Sequence, residues 1–200
     1  MKARTVKGSI VVLGLGLSAL AGCAKATPEA SNRSPACEEA DAKVVDQLLL
    51  AWLSKARTLH HLADLDEEEG SLDKAIDALE QLVHGTMPPG EPAEAAEVMA
   101  DTYARLAELR ARRGDFDRAD QDVASGLKFA PAPTYFRGHL LEVRGLIHEK
   151  ESRELEKSGK SAEAKRAREK AVASSLEAVR IQNDVIKSTL GDAGAPATRD

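Results

Sequence analysis

Few residues in this chain stand at spacings that chemistry could use. His60 and Asp64 lie four apart, so on a helix they share a face and could touch or share a metal. His61 points elsewhere, spacing identifies no third ligand, and no His-Glu-x-x-His pattern occurs. His84, His139 and His148 are scattered. A nucleophile elbow, a phosphate-binding loop and a dinucleotide fingerprint are all missing. Cys23 and Cys37 are too few for a disulfide scaffold or a cysteine-built zinc site. These residues therefore read as a non-enzymatic chain with no metal and no cofactor.

Charge and composition narrow the reading. Basic residues cluster between Lys150 and Lys170, including Lys165, Arg166 and Arg168, but acids interleave them and no aromatic stands ready to stack a base. Intrahelical pairs such as Glu163–Arg166 account for them. With 28 basic and 33 acidic residues the formal net charge is −5, which argues against a nucleic-acid partner. Two hundred residues make one domain with tails. The chain holds 34 alanines and only 3% aromatics. A core of Ala and Leu suits closely packed helices.

The first residues read as an export signal. Lys2, Arg4 and Lys7 precede the apolar run Gly8 to Ala19, and small residues follow. That run is too short for a permanent membrane span. Leu20-Ala21-Gly22-Cys23 resembles the lipobox of bacterial lipoproteins. The resemblance implies a signal over residues 1–22, cleavage before Cys23, and acylation of its sulfur and new amine. Several acyl chains make a stable anchor. Loss of Lys2, Arg4 and Lys7 leaves 25 basic against 33 acidic residues, a net charge of −8, so the domain would not lie flat on anionic lipid. Ala24 rather than Asp follows the lipidated cysteine, which in the enterobacterial pattern implies the outer membrane. Residues 23–36 contain Pro28 and Pro35 and no apolar period. They form a tether reaching about 20 Å as a flexible coil. Cys37 is then the one remaining thiol, read as a small residue near a helix start, with a disulfide to a partner or second copy as the sharper alternative.

The domain over 37–190 reads as all-α, with a tail at 191–200. Val44, Leu48, Trp52, Ala56, Leu59, Leu62 and Ala63 make one stripe, and no Gly or Pro stands between Cys37 and Gly70, so one long helix is expected there. Ser71 is the expected cap of a second helix, closed by Pro88-Pro89-Gly90. A third helix runs from near Pro92 to Gly114, a fourth from Asp115 to about Phe129, and a fifth starts near Thr134. A sixth runs from near Ser161 to before Gly191, with Val172, Leu176, Val179, Ile186 and Leu190 as its stripe.

These helices repeat. Ala100 to Pro133 spans 34 residues, with Tyr103, Leu106, Ala107, Gly114, Phe116, Ala119, Leu127 and Pro131 as landmarks. That pattern resembles tetratricopeptide repeats, apart from Leu109-Arg110 where a tyrosine is common and Gly126 where alanine is usual. Ala56 to Pro89 fits more loosely through Leu59, Leu62, Ala63, Gly70, Leu72, Ala75, Leu79, Leu82 and Val83. A third unit begins with Phe136, Leu140, Val143 and Ile147; Leu141, Gly145 and His148 fit only roughly. It carries about fourteen residues beyond a repeat, shared as two turns per helix. The resemblance implies an α-solenoid of about three tandem antiparallel hairpins, the last elongated, its tip either a partner site or simply solvated.

What the family frame implies is a concave face lined by the first helix of each pair. Those positions are Arg57, His60, Asp64, Glu67 and Glu68, then Asp101, Ala104, Glu108, Ala111 and Arg112. The face leans acidic and suits a basic or amphipathic protein segment; the Lys and Asn that bind a C-terminal carboxylate in the chaperone-binding subset are missing. The implied function is a lipid-anchored, periplasm-facing scaffold, such as an assembly factor for a secretin channel or type IV pilus. A ligand-binding accessory component of a transporter is the alternative and would need an enclosed apolar pocket; a metal-binding or enzymatic protein is a third.

Overall fold

Helices begin where a side chain can take up amides that no helical turn satisfies. A computed structural model describes residues 46–193. Among them are six α-helices and no strand: α1 (Gln47–Glu68), α2 (Leu72–Val83), α3 (Ala93–Arg113), α4 (Phe116–Phe129), α5 (Tyr135–Lys157) and α6 (Ser161–Ala193). The fold class is all-α. Asp46 is extended, and its carboxylate accepts from the N–H groups of Leu48 at 2.9 Å and Leu49 at 3.1 Å. Asp115 and Thr134 cap α4 and α5 by accepting from Arg118 and Arg137. Asp46 corrects the expectation of a helix unbroken from Cys37. Lack of Gly and Pro does not carry a helix through an Asp that can cap the next turn. Ser71 precedes α2 without a side-chain cap bond. Past its expected end, α6 continues through Gly191 to Ala193. The signal, Cys23, the tether, Cys37 and residues 194–200 lie outside the described residues. No described helix is long and apolar enough to cross a membrane.

Neighbouring helices pack in pairs, α1 on α2, α3 on α4 and α5 on α6; α3 also touches α1, α2 and α5, and α4 touches α5. Small residues set these contacts. Ala63, Ala75, Ala107 and Ala119 are fully buried, with Leu79, Leu106, Leu109 and Leu140 filling the spaces beside them. Trp52 is buried with Leu59, Leu82 and Met99. Leu48 and Leu62 depart from the expected stripe of α1 and are exposed. Gly126 shows why its position holds no side chain. A Cβ there would stand 2.6 Å from Leu140 Cδ2 and 2.9 Å from Tyr103 Cβ.

Arginines join the helices laterally. Arg110 of α3 is buried; its Nη1 donates to both Asp122 oxygens at 2.5 Å, and its Nη2 donates to Glu80. One guanidinium thus ties α2, α3 and α4. Burial pushes the Asp122 carboxyl up to about 6; Arg110 opposes this, while Glu80 and Asp115 add to it. Arg113 bonds Asp73 at 2.6 Å, and Arg144 of α5 bonds Asp120 of α4 at 2.7 Å.

The α5–α6 pair is antiparallel and follows a different packing rule. Gly138, Gly145 and Ser152 recur every seven residues on α5, and Ala178, Ala171 and Ala164 recur every seven on α6. Gly138 faces the Ala178 carbonyl, Gly145 faces the Ala171 carbonyl and Ser175, and Ser152 Oγ donates to the Ala164 carbonyl at 2.8 Å. This corrects the expected core face of α6. Ala164, Ala167, Ala171, Ala178 and Ile181 are buried, whereas Val172, Leu176, Val179, Ile186 and Leu190 are 52–68% exposed. Glycine on α5 brings the backbones close, and the residues whose carbonyls it meets on α6 are alanines. Nor is the extra length shared equally. At 23 residues α5 barely exceeds α3 at 21, while α6 reaches 33 against 14 for α4.

Substitution at two glycines tests this packing. Gly126→Val should lower unfolding free energy by about 1–3 kcal/mol through overpacking. Gly191→Ala, with open space around its position, should raise it by up to about 1 kcal/mol through helix propensity. Urea denaturation of each variant measures both, and a harmless Gly126→Val would contradict the packing described.

Candidate functional site

Helices α1, α3 and α5 each turn one stripe toward a common cleft of about 600 Å³. Asp64 and Glu67 come from α1, Asp101, Arg105, Glu108, Leu109, Ala111 and Arg112 from α3, and His139, Val143, Leu146, Ile147 and Lys150 from α5. The positions 101, 105, 108 and 112, and again 139, 143, 146 and 150, step by four, three and four, which keeps each set on one helix face. Leu109, Ala111, Val143 and Ile147 are nearly inaccessible and form the floor, while Leu146 stands 53% exposed at the side.

A guanidinium organises one wall. Arg105 Nη2 donates to Asp64 at 2.5 Å and to Glu67 at 2.6 Å. Its Nη1 donates to the His60 carbonyl at 3.3 Å and lies 3.4 Å from His60 Nδ1. Glu67 also accepts from Arg112, so it bridges two arginines. Burial would raise the Glu67 carboxyl, but the hydrogen bonds from Arg105 and Arg112 outweigh it and hold the group below the usual carboxylate value. His60 Nε2 lies 2.9 Å from Thr102 Oγ1, and that hydroxyl donates to the Val98 carbonyl at 2.7 Å. The single hydroxyl proton is thereby committed, so the network assigns the His60 proton to Nε2 and leaves Nδ1 as acceptor for Arg105.

The remaining charges are unevenly matched. Asp64, Glu67, Arg105 and Arg112 satisfy one another. Among the described residues no ion pair engages Asp101, Glu108 or Lys150. Glu108 is reached by solvent, yet burial within the cleft pushes its carboxyl up; His139 and Arg105 oppose this, and Glu67 and Asp101 add to it. The free charge of the cleft is one negative unit beside an apolar floor.

The structure gathers Asp64, Glu67, Asp101, Glu108, Ala111 and Arg112 along this cleft. It does not bring the other expected positions there. Arg57 and Glu68 are exposed on α1 outside the lining. Ala104 is fully buried against Val123 and Leu140 in the core, which corrects its expected place on the face. His60 sits behind the wall, on Thr102 and Arg105. Sequence reasoning missed Arg105, Leu109 and all five α5 residues. The signal for Arg105 was the four-three-four spacing, which runs through 105 between 101 and 108 and reappears in α5. His60 and Asp64 share a cation, Arg105, and among the described residues no three His, Cys, Asp or Glu side chains are placed to hold a metal.

No protein-family model matches the chain, and comparisons with curated proteins and with solved structures return no match.

Protonation of His60 tests the wall. Burial, and next the Arg105 charge, lower its pKa below 6.5, against Asp101 and Asp64. A lowered folded value means that its stabilising contribution is present above the ordinary value and lost as pH falls through the folded one. Nitrogen-15 NMR should find the ring neutral with its proton on Nε2 at pH 6.5. A ring already half protonated there would contradict the network.

Proposed function

We propose that this chain is a lipid-anchored, non-enzymatic scaffold that faces the periplasm and receives a segment of a partner protein in the α1–α3–α5 cleft. The helices form tandem hairpins of the tetratricopeptide kind, α1–α2, α3–α4 and α5–α6. Small residues buried at the repeat positions support that reading. An assembly role for an envelope complex, such as a secretin channel or type IV pilus, follows from the lipoprotein and repeat resemblances.

One observation carries the partner reading. The cleft joins an apolar floor of Leu109, Val143 and Ile147 to two carboxylates, Asp101 and Glu108, that no cation of the described residues engages. An amphipathic segment with one or two basic side chains satisfies both halves: its apolar face covers Leu146, which stands 53% exposed beside the buried floor, and its cation meets Glu108. A small-molecule carrier role is less well supported, because the cleft is open along its length and charged side chains make up about half of its lining.

Two experiments test this. With a photoreactive residue at position 146, in-cell cross-linking should capture one protein through a segment in which Lys or Arg stands beside apolar residues. Joint Asp101→Lys and Glu108→Lys substitution should cut that yield about tenfold or more. No captured protein, or a yield indifferent to the charge reversal, rejects the cleft as a partner site. Separately, Cys23→Ser should abolish incorporation of labelled fatty acid, and retained label would reject the anchor.

A further inference from the structure

We propose that the outer face of α6 is the contact surface for a second copy of this chain, distinct from the cleft and independent of its occupant. Val172, Leu176, Val179, Asn183, Ile186 and Leu190 succeed one another at steps of four, three, four, three and four. That spacing keeps a seam on one line of a helix, as in helices that pair lengthwise. The five apolar members are 52–68% exposed, and as far as Ile181 the opposite side of α6 is already closed against α5, chiefly by alanines. Leu146 with Val172, Leu176 and Val179 also borders a groove of about 350 Å³ beside the seam. A monomer would thus leave the longest exposed apolar stripe of the described residues in water.

Three features select a copy of the chain as occupant. The step pattern reads the same from either end, so a two-fold operation can match the seam to itself along its length. Area is sufficient. The nineteen residues from Val172 to Leu190 span about 27 Å, and the outward half of such a helix with its solvent shell covers about 600 Å². Two copies then bury about 1,200 Å², the lower edge of specific interfaces. Charge is permissive where it matters. The chain carries −5, which opposes self-association in general, but the charged residues between 173 and 190 are Glu177, Arg180, Asp184 and Lys187, which cancel. Up to Ile181 the helix is already held by α5, so there pairing orders only side chains and adds little conformational cost.

Sedimentation of the full chain across about 1–100 µM tests the proposal. The expected species is a dimer of the 21.4 kDa chain. Leu176→Glu with Ile186→Glu should raise the concentration of half-dissociation about tenfold or more while leaving the circular dichroism of the helices unchanged, since both side chains are exposed in the monomer. Asn183→Lys, a second and milder disruption of the seam, should act in the same direction. A chain that stays monomeric at the highest concentration overturns the proposal. So does a dimer that survives both sets of substitutions, which would place the contact elsewhere.

Discussion

The closeness of helices that only glycine and alanine permit is the constraint from which the rest of this structure follows. With 3% aromatics and 34 alanines the chain has few large groups with which to fill wide gaps. It closes the gaps instead. Ala63, Ala75, Ala104, Ala107 and Ala119 are fully buried, and at Gly126 and Gly145 a Cβ would fall within 3 Å of a neighbour. Backbones at that distance exclude large side chains from the contact. The apolar bulk left over must stand elsewhere, and it appears along the outer face of α6, at Leu146 beside the cleft, and at Leu48, Leu50, Leu62 and Leu65 on α1. Close packing therefore does more than hold the helices. It decides which surfaces are left apolar.

Charge then sets how the closely packed helices register. Arg105 reaches from α3 to α1, Arg110 from α3 to α2 and α4, and Arg144 from α5 to α4. A small-residue contact tolerates sliding by a turn more readily than a contact of interlocked large side chains. A buried guanidinium that must meet Asp122 and Glu80 does not, because leaving either ion unpaired in the interior costs several kcal/mol. Burial raises the Asp122 carboxyl against the pull of this cation, and Glu80, which shares it, adds to the rise. On the cleft side the same device has a second effect. Arg105 and Arg112 consume Asp64 and Glu67, so that of the cleft's carboxylates Asp101 and Glu108 are left without an ion pair, as is Lys150 among its cations.

Most of the architecture was legible in the residues. Caps and breakers placed five of the six helix starts, since Asp115, Thr134 and the glycine turns act locally. The start of α1 was misread because an Asp in a run without Gly or Pro gives no warning until its free amides are considered. The face of α6 was misread for a different reason. It carries two apolar stripes, one of alanines and one of Leu, Val and Ile, and periodicity favours the bulkier. Only the glycines of α5, set seven apart, disclose that the alanine stripe is the one that packs. Within the cleft, the α1 and α3 residues followed from the repeat frame, whereas the α5 residues did not, because the third unit matches that frame weakly. Arg105 was overlooked as a charge beside Leu106 and Ala107, although it shares a helix face with Asp101 and Glu108.

The packing account is tested most directly by reversing the usual hierarchy of side chains on α6. At concentrations low enough to keep the chain monomeric, the unfolding free energies of Ala171→Leu and Leu176→Ala should be compared. Enlarging the buried alanine should cost about 1–3 kcal/mol, while trimming the larger, exposed leucine should change stability by no more than about 0.5 kcal/mol. The opposite order, with Leu176→Ala the more damaging, would place the large stripe in the core and contradict the account.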